Sequence, residues 1–225
     1  MKVKICGIKD IDTGLQVAKH RPDYIGYVMS RSKRQISAAQ AAAIIDAIRG
    51  SNAEHPEMTA VFSTVTREEL DEVLSRTDFD VVQFHLPEEL SIVEWIKATW
   101  NKKICLTIPV HSEHGHSVLS NQIDQLMNQI APYQSFIDSL LLDTHDPLHG
   151  GGSGKVFQWE AIPAYMTLAQ ELSLPMYAAG GLHADNVELL KQQYDIDGVD
   201  VSSGVETNGE KDIVKVKQFI ERVRD

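Results

Sequence analysis

The amino-acid sequence predicts an α/β fold, a single (β/α)8 barrel with a parallel eight-stranded core that occupies residues 1–225 as one domain. Short β-branched or apolar runs recur along the whole chain, and a stretch with helical spacing follows nearly every run. No linker or shift in composition divides the chain at its middle. One closed barrel commonly uses about this length of chain, so a closed barrel is favoured over an open sheet.

Eight runs bounded by polar residues are predicted as strands. ICLTIPV and LLLDT are continuously apolar, as expected of parallel strands that are covered on both faces. The predicted strands are 3–7, 24–29, 59–63, 81–85, 104–110, 140–144, 176–181 and 199–204. The predicted helices are 11–20, 37–49, 67–76, 88–99, 121–131, 158–172, 184–193 and 212–223. Because barrels place their chemistry at the carboxyl ends of the strands, the residues that close each strand are the candidates for a site.

Charge and cysteine content exclude several classes of protein. The 32 acidic residues outnumber the 21 basic residues and give a net charge of −11, which argues against a nucleic-acid or anionic-membrane partner. Every apolar run is too short for a transmembrane helix, and the first residues lack the apolar core of a signal peptide. Two cysteines cannot build a disulfide framework, so we expect a reduced, cytoplasmic protein. The sequence leaves the oligomeric state open between a monomer and a homodimer, because exposed and buried apolar helix faces look alike in the outer ring of a barrel.

Cys6 and Asp143 close the first and sixth predicted strands. Cys6 precedes Gly7, which permits a sharp turn and leaves the thiol facing the barrel mouth as a candidate base. A buried, inert thiol is the other interpretation of Cys6, and it suits Cys105 within an apolar strand. Asp143 either caps the following helix or acts as an acid, and the long segment before that helix favours the acid.

Two pairs of small residues follow the seventh and eighth strands, where barrels often bind phosphate. Backbone N–H groups in such turns approach an anion closely, although ordinary tight turns have the same composition. The residues are Gly180, Gly181, Ser203 and Gly204. A further glycine-rich stretch, GGGSGK at 150–155, lacks the first glycine of a nucleotide-binding P-loop.

Three further features carry weaker signals. The run RSKR at 31–34 could supply an arginine to grip a carboxylate, or could be a solvated surface patch. His85 closes the fourth strand and is a candidate for the mouth, or a core histidine. His111, His114 and His116 do not have the spacing of a zinc motif, so no metal is expected.

Taken in order, several segments resemble the phosphoribosylanthranilate isomerase family of tryptophan biosynthesis along essentially the whole chain. They are KICGI, SKR, VVQFH, LLLDT, GGSGK-x-F-x-W, AAGGL and GVDVSSGVE. The resemblance implies a cofactor-free Amadori rearrangement of a small phosphosugar, N-(5-phosphoribosyl)anthranilate, with Asp143 as general acid and Cys6 as general base. It also implies that Arg34 binds the anthranilate carboxylate and that His85 and Asp200 line the substrate.

The resemblance assigns the two turns with Gly180, Gly181, Ser203 and Gly204 to the phosphate. Two positions depart from the usual pattern of the family. Lys33 stands where many members have proline, and Leu86 stands where glycine commonly follows the histidine.

Three other functions compete with this interpretation. One is a related phosphosugar isomerase or epimerase with a different substrate, against which Cys6 and Arg34 argue. Another is a non-catalytic phosphosugar-binding barrel, against which the presence of both Cys6 and Asp143 argues. The third is a metal hydrolase built on the histidines between 111 and 116.

Overall fold

The structure, a computed structural model, is a closed barrel of eight parallel strands that pair in chain order, with β8 returning to β1. It describes residues 1–51, 55–64, 66–87, 90–110, 116–144 and 159–225, without the side chains of 116–118 and 144. The strands are β1 Lys2–Cys6, β2 Tyr24–Val28, β3 Glu57–Phe62, β4 Val81–His85, β5 Lys103–Val110, β6 Ser139–Thr144, β7 Met176–Ala178 and β8 Gly198–Val201. The predicted fold class is confirmed.

A helix follows each strand, as the sequence predicts. The helices are α1 Ile11–Lys19, α2 Ala38–Gly50, α3 Arg67–Leu74, α4 Ser91–Trp100, α5 His116–Ile130, α6 Ile162–Glu171, α7 Val187–Gln193 and α8 Ile213–Arg224. Among the described residues, none of the helices is both long and apolar enough to cross a membrane.

Two helix boundaries differ from the prediction by more than three residues. Helix α5 begins at 116, five residues earlier than predicted. Helix α6 begins only at Ile162, after a 3-10 turn at Trp159–Ala161. Pro163, in the first turn of α6, has a fixed φ and no N–H to satisfy there, so it favours a helix start at this point.

Alternation along each strand separates the core from the barrel interior. On β1, Val3 and Ile5 are fully buried and belong to the large core shared with the helices. Lys4 and Cys6 point the other way, into the barrel. Since side chains alternate with a period of two, the residue that ends β1 is also its last inward residue. The same pattern puts His85 two residues after inward Gln83.

The lower interior of the barrel is filled by side chains rather than left as a pore. A second buried cluster packs there against Tyr24 and consists of Val81, Cys105, Leu141, Tyr177 and Ala179. A Cβ at Gly198 would lie 2.4 Å from the Tyr177 ring, so glycine makes room for that ring. The carboxyl ends of the strands therefore lie above a packed interior, which we call the packed floor.

Four aspartates organise the amino end of the barrel with one repeated contact. Each immediately precedes an even-numbered strand and accepts a hydrogen bond from a backbone N–H of the odd-numbered strand before it. The four bonds are Val3 to Asp23 at 2.8 Å, Met58 to Asp80 at 2.8 Å, Ile104 to Asp138 at 2.7 Å and Met176 to Asp197 at 2.8 Å. Each satisfies an N–H that begins a strand.

Replacing Asp197 by alanine should therefore destabilise the barrel without affecting a site at its other end. The Met176 N–H loses its acceptor, so we expect the free energy of unfolding to fall by about 1–3 kcal/mol. Urea denaturation measures the loss, and kcat and KM should stay at the wild-type values. Asp195→Ala, at an exposed position nearby, is the control and should change stability by less than about 0.5 kcal/mol. Equal stability of the two variants would contradict the assignment.

Candidate active site

A cleft of about 620 Å³ opens at the carboxyl ends of the strands. It brings together residues that are far apart in the sequence, because closure of the barrel places all eight strand ends around one mouth. The predicted site residues that line the cleft are Cys6, Arg34, His85, Asp143, Gly180, Gly181, Asp200 and Ser203. Gly204 follows Ser203 but is not among the lining residues.

Cys6 ends β1 and is almost fully buried, with its side chain on the cleft. Gly7 follows with φ of +86°, a conformation that favours glycine. A Cβ at Gly7 would lie 2.6 Å from Cδ of Arg34, so glycine also lets the arginine cross the end of β1. Burial raises the pKa of the Cys6 thiol above its ordinary value, against a lowering by the nearby Lys4 ammonium. Desolvation thus opposes formation of the thiolate that a base at this position needs.

Asp143 and His85 reach the same cleft from strands on the other side of the barrel. Asp143 lies two residues after inward Leu141 on β6 and is partly exposed. His85 ends β4, also partly exposed. Asp143 and Cys6 thus approach the cleft from strands that are three apart around the ring. A ligand lying between them would meet a carboxyl group on one side and a thiol on the other.

Arg34 is buried beside a carboxylate of the chain itself. Its Nε and Nη2 donate to Oε1 and Oε2 of Glu206 at 2.7 and 2.9 Å, a bidentate fork. Lys211 Nζ donates to the same Oε1 at 2.7 Å. Burial opposes ionisation of Glu206, but the hydrogen bonds from Arg34 and Lys211 outweigh it and lower its pKa to about 2. Nη1 of Arg34 is outside this fork and is the edge that a ligand carboxylate could meet.

Glu206 and Lys211 were not singled out from the sequence. They face each other on a short hairpin, β9 Glu206–Thr207 and β10 Glu210–Lys211. Its two-residue turn, Asn208-Gly209, has positive φ at both positions, which is the strongest short-range signal of a hairpin and could have revealed it. The same lysine donates to the Ser202 carbonyl at 2.9 Å, which ties the hairpin to the end of β8.

Glycine is required for a different reason in each of the two turns at the mouth. Gly180 and Gly181 have φ of +90° and +64°, so both need the conformational freedom of glycine. Gly204 is needed for packing, because a Cβ there would lie 1.8 Å from the carbonyl oxygen of Leu182. The absence of a side chain thus lets the turn after β8 pack closely against the turn after β7, with Ser203 on the cleft side.

Asp200 is buried and borders both the cleft and the interior below it. Its Oδ2 accepts from Lys4 Nζ at 2.8 Å across the pair formed by β8 and β1. Lys4 is a third residue that was not singled out from the sequence, because a lysine on a strand is usually solvated. Burial lowers the pKa of Lys4, but Asp200 more than compensates, and the net direction is upward.

Some of the other features singled out from the sequence lie within the described residues, and some lie outside them. Lys33 lines the cleft. Leu86 donates its backbone N–H to the Thr107 carbonyl at 2.9 Å. His111, His114 and the stretch 150–155 lie outside the described residues, and so does the segment after Asp143 where capping was considered. His116 is the first residue of α5, and its side chain is not described.

Glu206→Gln should be destabilising at neutral pH and nearly neutral in acid. Loss of a buried partner leaves Arg34 and Lys211 uncompensated, which typically costs about 3–5 kcal/mol. A carboxyl whose pKa is depressed contributes stability above its ordinary pKa and loses it as the pH falls through its folded value, here about 2. The difference in unfolding free energy between wild type and variant should therefore shrink from about pH 5 down to about pH 2.

Urea denaturation at several pH values checks this expectation. Glu210→Gln is the matched control on the same hairpin, since its pair with Lys9 is exposed and should be worth less than about 1 kcal/mol. A Glu206→Gln difference that stays constant across this pH range would contradict the interpretation.

Comparison with known proteins agrees with this geometry. The family model described as "N-(5'phosphoribosyl)anthranilate (PRA) isomerase" matches residues 3–222. The N-(5'-phosphoribosyl)anthranilate isomerase of Brevibacillus brevis is 37% identical over 223 residues, covering 99% of this chain and 93% of the relative. The solved structure of the Pyrococcus furiosus isomerase superposes with a TM-score of 0.79 at 30% identity, covering 100% and 98% of the two chains.

A second solved structure contains a ligand. It is a phosphoribosyl anthranilate isomerase in complex with reduced 1-(o-carboxyphenylamino)-1-deoxyribulose 5-phosphate, with a TM-score of 0.75 at 26% identity, covering 100% of this chain and 98% of the other. The match of the family model spans nearly the whole sequence. The chain belongs to the N-(5'-phosphoribosyl)anthranilate isomerase family.

Proposed function

We propose that this chain catalyses the Amadori rearrangement of N-(5'-phosphoribosyl)anthranilate to 1-(2-carboxyphenylamino)-1-deoxyribulose 5-phosphate in tryptophan biosynthesis. The observation that carries the proposal is the convergence of Cys6 and Asp143 on one cleft with Arg34 and the glycine turns. The reaction is an internal redox change from aldose to ketose, so its electrons balance without an external oxidant or reductant. We further propose that the chain acts as a single cytoplasmic barrel domain.

Asp143 is the proposed general acid. Ring opening of the ribofuranose leaves a developing alkoxide on the ring oxygen, and a carboxylic acid beside it can supply a proton as the C–O bond breaks. The product of this step is a Schiff base between the sugar and the anthranilate nitrogen. The partly exposed position of Asp143 at the end of β6 suits a group that must regain its proton after each turnover.

Cys6 is the proposed general base. The Schiff base acidifies the C2 proton, and a thiolate on the opposite wall of the cleft can remove it to form an enolamine. Tautomerisation then moves a proton from the C2 hydroxyl to C1 and completes the ketose. Cys105 lies in the packed floor of the barrel, where burial raises its pKa to about 11, so we assign it no part in the reaction.

The substrate carries an anion at each end, and the proposal gives each a separate partner. Arg34 is oriented by Glu206 with its Nη1 edge outside the fork, so it can meet the anthranilate carboxylate. The turns containing Gly180, Gly181 and Ser203 suit the phosphate, because positive-φ glycines let backbone N–H groups approach an anion. Gly204 contributes by allowing these turns to pack closely together. His85 and Asp200 line the space between, where the sugar would lie.

The test of the proposed function is turnover of phosphoribosylanthranilate, followed by loss of its anthranilate-type fluorescence. Cys6→Ser and Asp143→Asn should each lower kcat at least about 100-fold, because proton-transfer groups act in the transition state. Cys105→Ser is the matched control and should turn over like wild type after correction for stability. An absence of turnover by the wild-type protein would reject the function, and near-normal turnover by one variant would reject that residue's role.

The dependence of activity on pH should follow the ionisation of the buried Cys6 thiol. Because burial raises the pKa of Cys6, kcat/KM should still be rising at pH values where an ordinary thiol, with a pKa of about 8.5, is already half ionised. We expect log kcat/KM to increase with a slope near one up to that range. The Cys105→Ser protein should have the same profile. A plateau reached below about pH 7.5 would show that another group is the base.

A further inference from the structure

Lys4 and Cys6 are consecutive inward residues of β1, and their side chains meet over the same glycine. Cys6 is the register partner of Gly26 on β2. A Cβ at Gly26 would lie 2.8 Å from Cys6 Sγ and 3.0 Å from Lys4 Nζ. The ammonium thus extends along the barrel wall toward the thiol, where its charge favours the thiolate. A residue larger than glycine at this position would push the two groups apart.

Asp200 holds the ammonium in this place. Lys4 and Asp200 are register partners across the β1–β8 pair, and their side chains lie 2.8 Å apart with both residues buried. A small cavity of about 30 Å³ adjoins the pair and is walled mainly by apolar and uncharged side chains, including Tyr24, Leu141 and Tyr177. Because bulk water does not surround the pair, its charges are weakly screened at the distance of Cys6.

Other charged groups also surround Cys6. Arg34 and Lys211 reach it from the loop after β2 and from the hairpin, and both ion-pair with Glu206. Asp143 lines the same cleft, and Cys105 lies in the interior below. Among these described residues, Lys4 is distinguished by its place on the inward face of β1 beside Cys6, with its Nζ and the Cys6 Sγ both next to Gly26.

We propose that Lys4 is a positioning residue for Cys6, held by Asp200, and that its ammonium stabilises the thiolate that acts as the base. The inference rests on the proposed function, in which the Cys6 thiolate is the general base. It assigns a role in the reaction to Lys4, to which the proposed function gives none. The proton that Cys6 takes from C2 stays on sulfur until solvent or product removes it, and Lys4 remains an ammonium throughout.

The experiment measures the apparent pKa of Cys6 directly. Alkylation by iodoacetamide is followed across pH in a Cys105→Ser background, and mass spectrometry quantifies the modified Cys6 peptide. Lys4→Met should slow alkylation near neutral pH about tenfold or more, because one pKa unit is a factor of ten in thiolate. The rise of kcat/KM should move to higher pH by the same amount. Lys4→Arg should recover most of the wild-type rate, and Lys19→Met, at an exposed site on α1, should change nothing.

Asp200→Asn provides a test of opposite sign. Asparagine keeps an oxygen that can accept a hydrogen bond from Lys4 Nζ but lacks the negative charge, which disfavours the thiolate, so this variant should speed alkylation of Cys6, whereas removal of Lys4 should slow it. General damage to the barrel would move both variants in the same direction. If Lys4→Met alone does not fold, Lys4→Met/Asp200→Asn removes both buried charges and is compared with Asp200→Asn. The double variant should be alkylated more slowly.

Two results would overturn the inference. One is an unchanged alkylation profile on removal of Lys4 from a folded protein. The other is a shift of the Lys4 and Asp200 variants in the same direction. Failure of the proposed function gives a different pattern, namely no turnover of phosphoribosylanthranilate by the wild-type protein, while the alkylation series still reports whether Lys4 stabilises the thiolate.

Discussion

The barrel closes where β1 pairs with β8, and the Lys4–Asp200 ion pair lies buried across that closure. Two charges removed from water are tolerated only when each compensates the other, so this contact constrains the register of the first and last strands. The closure also brings Ser202 to the end of β1, where its hydroxyl donates to the Cys6 carbonyl at 3.1 Å. The position of Cys6 thus depends on residues nearly 200 positions away in the chain.

The two ends of the barrel divide stability from chemistry. At the amino end, four aspartates satisfy backbone N–H groups in a repeated arrangement that includes Asp23 and Asp197. At the carboxyl end, the chain adopts conformations that favour glycine, as at Gly7, Gly180 and Gly181. Backbone of this kind persists only where surrounding structure holds it in place. The packed floor lies between the two ends and supports the strand ends, so the turns at the mouth can keep these glycine conformations.

Electrostatics at the mouth reconciles a protein of net charge −11 with an anionic ligand. Arg34 and Lys211 share the single carboxylate of Glu206, so this group carries an excess of positive charge at the cleft. Lys4, by contrast, is matched one to one by Asp200. The first arrangement suits attraction of an anion, and the second suits local support of a buried thiol without a change in net charge. The local positive charge at the cleft, and not the net charge of the protein, therefore attracts the anion.

The fold and most of the site follow from local properties of the sequence. Each segment has its own hydrophobic periodicity, so the eight strands and eight helices are predictable. The residues that close the strands, such as Cys6 and Asp143, can then be recognised as candidate site residues. Three features are not predictable in this way. They are the ion pair between Glu206 and Arg34, the direction of the pKa shift at Cys6 and the close packing at Gly204. Each arises from groups that meet only when the barrel closes, because burial and electrostatic coupling depend on everything packed around a residue and not on its neighbours in the chain.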